Sequence, residues 1–223
     1  MKRSEINRLI DEAISFIENL GFKMPPFAYW TPRNWQAMRA TSQEIADNML
    51  GWDVTDFGGG DFARRGLVVL TLRNGNQYDN ATYPKPYAEK LLISGEEQET
   101  PIHFHWSKME DIINRGGGDL LVELWNSDEQ ENKLTTPVRV SIDGTCHTVE
   151  AGRPIALVPG QSITLVPGMY HRFYGKKGTG KVLLGEVSGV NDDNSDNRFF
   201  ENLPRFPEIE EDEEARYVLI TEY

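Results

Sequence analysis

His103 and His105 flank Phe104, Glu110 follows after a gap of four residues, and His171 lies far downstream. Alternate residues of a β-strand point to one face, so the two imidazoles can enter one cavity while Phe104 turns away. Glu110 is near enough for a strand or a short turn to bring its carboxylate to the same place. The chain has 4 histidines, and three of them belong to this set. Three imidazoles and one carboxylate make a donor set for a divalent transition metal. A single histidine on a half-buried strand is more often a hydrogen-bonded structural residue. Here the metal is favoured by three further features: Glu110, the chain-breaking Gly116, Gly117 and Gly118, and the segment 160–171, which turns at Pro167-Gly168 before His171.

The two segments resemble the paired motifs of the cupin superfamily. The first carries His103, His105, Glu110 and Gly117 at the cupin spacing, although Gly95 stands two residues too early for the leading glycine. In the second, Gly160, Gly168 and His171 are in register, Pro167 is shifted by one, and Gly175 replaces an asparagine. These departures concern turns and leave the ligand positions intact. Tyr87-Ala-Glu-Lys-Leu-Leu-Ile93, Trp106, the Gly185-Glu-Val-Ser stretch with Asn191, Asp192 and Asp193, and Asp196-Asn-Arg-Phe199 narrow the resemblance. Together they are similar to the D-lyxose isomerase family of sugar ketol-isomerases, from the N-terminal helix to about Pro204.

Three nitrogens and one oxygen suit Mn2+, Fe2+, Co2+, Ni2+ or Zn2+, and the affinity order alone does not choose among them. Four protein ligands leave two positions of an octahedron for neighbouring oxygens of a polyol or hydroxyketone. The resemblance implies manganese. It also implies interconversion of D-lyxose with D-xylulose, extending to D-mannose and D-fructose because D-lyxose and D-mannose share stereochemistry from C2 to C4. Such a reaction moves a proton between C1 and C2, with a metal as Lewis acid and a side chain as base. Glu110, as a ligand, is not that base. Lys90 on the strand before the first motif and Glu186 in the apolar run 182–187 are the candidate catalytic groups. Lys90 reads equally as a surface lysine that snorkels, and Glu186 as an ordinary polar strand residue. Asp193 and Arg198 are the candidate substrate-binding residues, in a loop where turn formation alone also explains acids. Two other readings stand beside the isomerase: a cupin dioxygenase using iron, and a sugar-binding cupin without turnover.

The elements that must position these groups are mainly β. Ser4 is the expected cap of a helix whose apolar face carries Ile6, Leu9, Ile10, Ala13, Ile14, Ile17 and Leu20, ended by Gly21. A second helix is expected over residues 34–48, and Trp30, Trp35 and Trp52 are read as packing residues. Short β-type runs then follow at 66–72, 87–94, 100–106, 118–127, 138–142, 147–150, 162–166, 170–175 and 181–188. Asn74-Gly75 and Asp143-Gly144 are turn signals between them. A last strand is expected over 216–223. The expected architecture is a cupin jelly-roll β-barrel over 61–223, preceded by a helical extension over 1–60, as one domain.

A chain of 223 residues has room for one large core. With 39% hydrophobic and 26% charged residues it reads as globular. A net charge of -12 argues against nucleic acid and against an anionic membrane surface. The acidic run 208–214 is expected to be a solvated loop. Cys146 is the only cysteine, which excludes an internal disulfide, and it is read as a small buried or half-buried strand residue. With no apolar signal core or run of about 18 apolar residues, the cytoplasm is the expected location. A small-molecule sugar is the expected partner, and a homodimer the expected assembly.

Overall fold

The computed structural model describes residues 1–223. Helix α1 (Arg3–Asn19) is followed by two short helices, α2 (Pro32–Met38) and α3 (Gln43–Asp47). The strands are β1 (Gly51–Thr55), β2 (Leu67–Arg73), β3 (Tyr87–Ser94), β4 (His103–Phe104), β5 (Glu110–Gly117), β6 (Leu120–Trp125) and β7 (Val138–Ile142). They continue through β8 (Thr145–Val149), β9 (Ile155–Leu157), β10 (Ser162–Leu165), β11 (Tyr170–Gly175), β12 (Val182–Gly189) and β13 (Arg198–Phe199). An 8-stranded sheet runs β1-β2-β3-β12-β5-β10-β7-β8, and a 5-stranded sheet runs β13-β4-β11-β6-β9. Neighbouring strands pair antiparallel, and the two sheets enclose a core in the jelly-roll manner of the cupins.

Period two sorts the side chains of the larger sheet. In β2, Leu67 and Val69 enter the core between the sheets, whereas Val68, Leu70 and Leu72 pack in a second core with α1. Burial on both faces explains why this strand is an unbroken apolar run. In β12, Val182 and Leu184 point inward and Leu183 outward, so Glu186 inherits the inward face. By the same alternation Lys90 shares the face of Leu92 in β3, and Asp53 lies opposite in parity to Trp52 and Val54 in β1. Ile6, Leu9, Ile10, Ala13 and Ile17 of α1 are buried. At about 1.5–3 kcal/mol for each fully buried large side chain, this stripe holds the helix on the sheet.

Several expectations are corrected. The larger sheet begins inside residues 1–60 and not at 61, because β1 falls there and pairs with β2. The helix expected over 34–48 breaks into α2, a 3-10 turn over Arg39–Thr41 and α3. There the Ser42 hydroxyl donates to the Met38 carbonyl at 2.9 Å and competes with the helical bonding. Ser4 does not cap α1. Its backbone N–H and its hydroxyl both donate to Asp212, at 2.9 and 2.7 Å. The acidic run is therefore partly docked on α1, where the buried Arg3 pairs with Glu211 and Asn7 donates to Glu213.

The expected C-terminal strand is absent. Leu219 makes a single bridge to Trp52, and the Glu222 carboxylate accepts the Leu219 N–H at 2.9 Å, which curls the chain while Leu219 and Ile220 stay buried. The run expected over 100–106 contracts to the two residues of β4. Strands β5 and β9 form where none was expected, and Cys146 is exposed on β8. No helix is long and apolar enough to cross a membrane.

Candidate active site

Strand β11 pairs with β4 so that His171 stands directly opposite His103. Residues paired across antiparallel strands share a face, and His105 lies two residues beyond His103, so all three imidazoles meet. Phe104 points the other way, against Trp125 and Tyr170. One ring nitrogen from each of His103, His105 and His171 lies within 4.8 Å of the others. Each Nδ1 is anchored on a backbone carbonyl: His103 on Pro101 at 2.8 Å, His171 on Met169 at 3.0 Å, and His105 on Asp196 at 2.5 Å. A neutral imidazole that donates from Nδ1 presents the lone pair of Nε2, so the three rings converge as ligands. Glu110, the first residue of β5, brings its carboxylate to 3.4 Å from His105 Nε2 and 3.3 Å from His171 Nε2.

The polar inventory of the site fits a cation. His171 Nε2 is buried without a hydrogen-bond partner in the protein, and Glu110 Oε2 has the Lys108 ammonium 2.8 Å away. An orphaned buried acceptor is costly, and a metal ion is a partner to which the three converging imidazoles can give their lone pairs, with Glu110 beside them. Burial and the two neighbouring imidazoles hold the His103 pKa well below the usual histidine range, which keeps it a ligand. Burial works to raise the Glu110 pKa, but the Lys108 ammonium and the histidines outweigh it and hold Glu110 well below the carboxylate range.

Around this cluster lies a belt of buried charge. Lys108 Nζ donates to Glu186 at 2.7 Å and forms an ion pair with Glu110 Oε2 at 2.8 Å. Burial alone lowers the Lys108 pKa; Glu110, Glu186 and Asp193 together reverse that and raise it. Lys90 is buried, which excludes the snorkelling alternative, and it donates to Asn191 at 2.6 Å and Asp193 at 3.4 Å. Arg205 bridges Asp53 at 2.7 Å and Asp193 at 3.1 Å. Burial raises the Asp53 pKa against the pull of Arg205. In Asp193 burial is overcome by Lys90, Arg205 and Lys108, and the net movement is downward.

His103, His105, Glu110, Lys90, Glu186 and Asp193 all line one cavity. Arg198 does not. It is half-buried on the rim, donating to Glu131 at 2.6 Å, and it anchors the loop instead of lining the cavity. Sequence reasoning missed Lys108, Asp53 and Arg205. For Asp53 a signal existed, since an acid alternating with Trp52 and Val54 in a strand buried throughout must face a polar interior.

A family model for D-lyxose isomerase matches residues 1–223. The chain belongs to the D-lyxose isomerase family. Membership makes it a sugar isomerase of the aldose–ketose kind. The D-lyxose/D-mannose isomerase of Serratia proteamaculans is 49% identical over 224 residues, covering 100% of this chain and 98% of that protein. The D-lyxose/D-mannose isomerase of Escherichia coli O157:H7 is 48% identical with the same coverage. Among solved structures, the L-ribose isomerase of Cellulomonas parahominis superposes with a TM-score of 0.61 at 17% identity, covering 94% of this chain and 98% of that one. The L-ribose isomerase of Acinetobacter sp. DL28 gives 0.61 at 14% identity, covering 93% and 98%. At such identities these two likenesses establish that this chain shares their fold.

Proposed function

We propose that this chain interconverts D-lyxose with D-xylulose and D-mannose with D-fructose, using one manganese ion held by His103, His105, His171 and Glu110. The observation that carries the reading is a single cavity in which His103 and His105, two of the three clustered imidazoles, face the buried Lys108–Glu186 pair. A divalent cation bound there supplies Lewis acidity toward the oxygens of the two reacting carbons. Glu186 is the group proposed to carry the proton between C1 and C2, because its carboxylate lines the cavity and is not a metal donor. Lys108 holds that carboxylate in place through its 2.7 Å hydrogen bond. Lys90 is proposed to donate to a sugar oxygen, with Asn191 and Asp193 fixing its ammonium. Arg205 keeps a buried Nη1 without a protein partner, a donor suited to a hydroxyl further along the sugar.

Because D-lyxose and D-mannose agree from C2 to C4, the same walls can read both. A homodimer is part of the proposal. Exposed Tyr87, Met109, Val166 and Val187 lie on one outer face of β3, β12, β5 and the end of β10, an apolar surface for a second copy. Sedimentation at micromolar protein checks it, and a monomer would end that part of the reading. The activity itself is tested by incubating the manganese-loaded protein with D-lyxose, and separately with D-mannose, and resolving the ketoses by chromatography. D-xylulose and D-fructose are expected. No ketose from either sugar, or equal rates after exhaustive chelation, would overturn the proposal.

A further inference from the structure

One residue grips the site from both sides of the cavity mouth. Asp196 is buried, and its carboxylate accepts three consecutive backbone N–H groups: Trp106 at 2.8 Å and Ser107 at 3.0 Å on Oδ1, and Lys108 at 3.1 Å on Oδ2. Its own carbonyl accepts His105 Nδ1 at 2.5 Å. The chain immediately after it, as β13, pairs with β4 so that Arg198 faces Phe104 and Phe199 faces His103. A run of successive N–H groups around one carboxylate is an anion nest, and the negative charge sets the conformation of the turn that supplies those groups. That turn joins His105 to Lys108. It therefore sets where the Lys108 ammonium stands between Glu110 and Glu186.

We infer that Asp196 is a positioning residue of the isomerase. Its carboxylate fixes the 106–108 turn, and through it the Lys108–Glu186 pair, while its main chain orients the His105 ring. The inference rests on the proposed roles of Lys108 and Glu186. All three bonds to the Asp196 carboxylate come from the main chain of the 106–108 turn, so in this role it acts on substrate only through its neighbours. Side chain and main chain also divide the work. Substitution of the side chain removes the nest but keeps the carbonyl that holds His105, so metal binding and turn geometry separate.

Asp196→Asn tests this with minimal change in shape. An amide has one acceptor oxygen, so its NH2 opposes at least one of the three N–H groups. Asp196→Ala removes all three bonds. In manganese-loaded protein, metal content is expected to stay near wild type in both variants. The Lys108 amide is expected to lose hydrogen-exchange protection. Displacement of catalytic groups by about 1 Å costs on the order of 100-fold, so kcat for D-lyxose should fall by about 10-fold in the Asn variant and about 100-fold in the Ala variant. KM should move by less than about 3-fold in both.

Three results would overturn the assignment: kcat within about 2-fold of wild type, an unchanged Lys108 amide, or a kcat loss fully accounted for by lost metal. Should the Ala variant not fold, the Asn variant decides alone. A wild-type protein inactive on D-lyxose and D-mannose sinks the proposed function instead, and the exchange measurement still reports on the clamp.

Discussion

Arg205→Met removes the cation that two buried carboxylates share. Arg205 Nη2 lies 2.7 Å from Asp53 and 3.1 Å from Asp193, and both carboxylates are buried. Asp193 keeps Lys90 at 3.4 Å, but Asp53 has no second cation in contact. Left alone, Asp53 has two options: to stay charged in a dry site or to take up a proton. Protonation sets the ceiling. Holding a carboxyl neutral at pH 7 costs about 1.36 kcal/mol for each pH unit above its ordinary value of about 3.9, or about 4 kcal/mol in all. The variant should therefore lose about 3–4 kcal/mol, which for a chain of this size lowers Tm by roughly 6–16 °C.

The sign of the pH dependence follows. Burial already raises the Asp53 pKa, and loss of Arg205 raises it further. A carboxyl whose folded pKa exceeds its unfolded one contributes stability that is present at low pH and lost as pH rises through the folded value. The deficit against wild type should thus shrink between pH 7 and pH 5. Adding Asp53→Asn to Arg205→Met should return most of the stability, because a neutral amide replaces the stranded charge. Urea unfolding of the four proteins of this cycle at both pH values is the assay. An Arg205→Met protein within about 1 kcal/mol of wild type, or one that Asp53→Asn fails to rescue, would refute the reasoning.

Glu186→Gln should keep its metal and lose about 100-fold or more in turnover, the usual range for removal of a general base; metal analysis beside steady-state kinetics checks both, and full activity would take Glu186 off the reaction path. Asp212 is held below its usual pKa by the Ser4 backbone N–H and hydroxyl, so its hold on α1 is present above about pH 4 and lost as pH falls through the lowered value. The Ser4 amide resonance should move with that titration in wild type and show no such step in Asp212→Asn. A step common to both proteins would assign it to another group.

Much of the site was legible in the sequence because it depends on local periodicity. His103 and His105 share a face by strand alternation alone, and the apolar neighbours of Glu186 and Lys90 announce strands buried on both sides. What was not legible depends on pairing between distant segments. Nothing near Ser107-Lys108-Met109 says that its lysine ends between two carboxylates; that follows only once β5 pairs with β12, opposing Glu110 to Ser188 and Ile112 to Glu186. Arg205 lies in a tail without regular structure, and its value comes from Asp53 some 150 residues earlier. The C-terminal residues 216–223 have strand composition, yet Leu219 packs into the core that α1 shares with the larger sheet, and Glu222 closes the turn. Arg198 lies beside acidic residues in the sequence, yet the carboxylate it pairs with, Glu131, comes from a different loop.

Metal content of wild-type protein and of His171→Ala, each loaded with manganese and freed of excess by gel filtration, reports whether three imidazoles and Glu110 hold one cation. About one equivalent per chain is expected in wild type and a large loss in the variant, since a three-donor remnant has lost a buried, fully oriented ligand. A full equivalent retained by His171→Ala, or none bound by wild type, would contradict it.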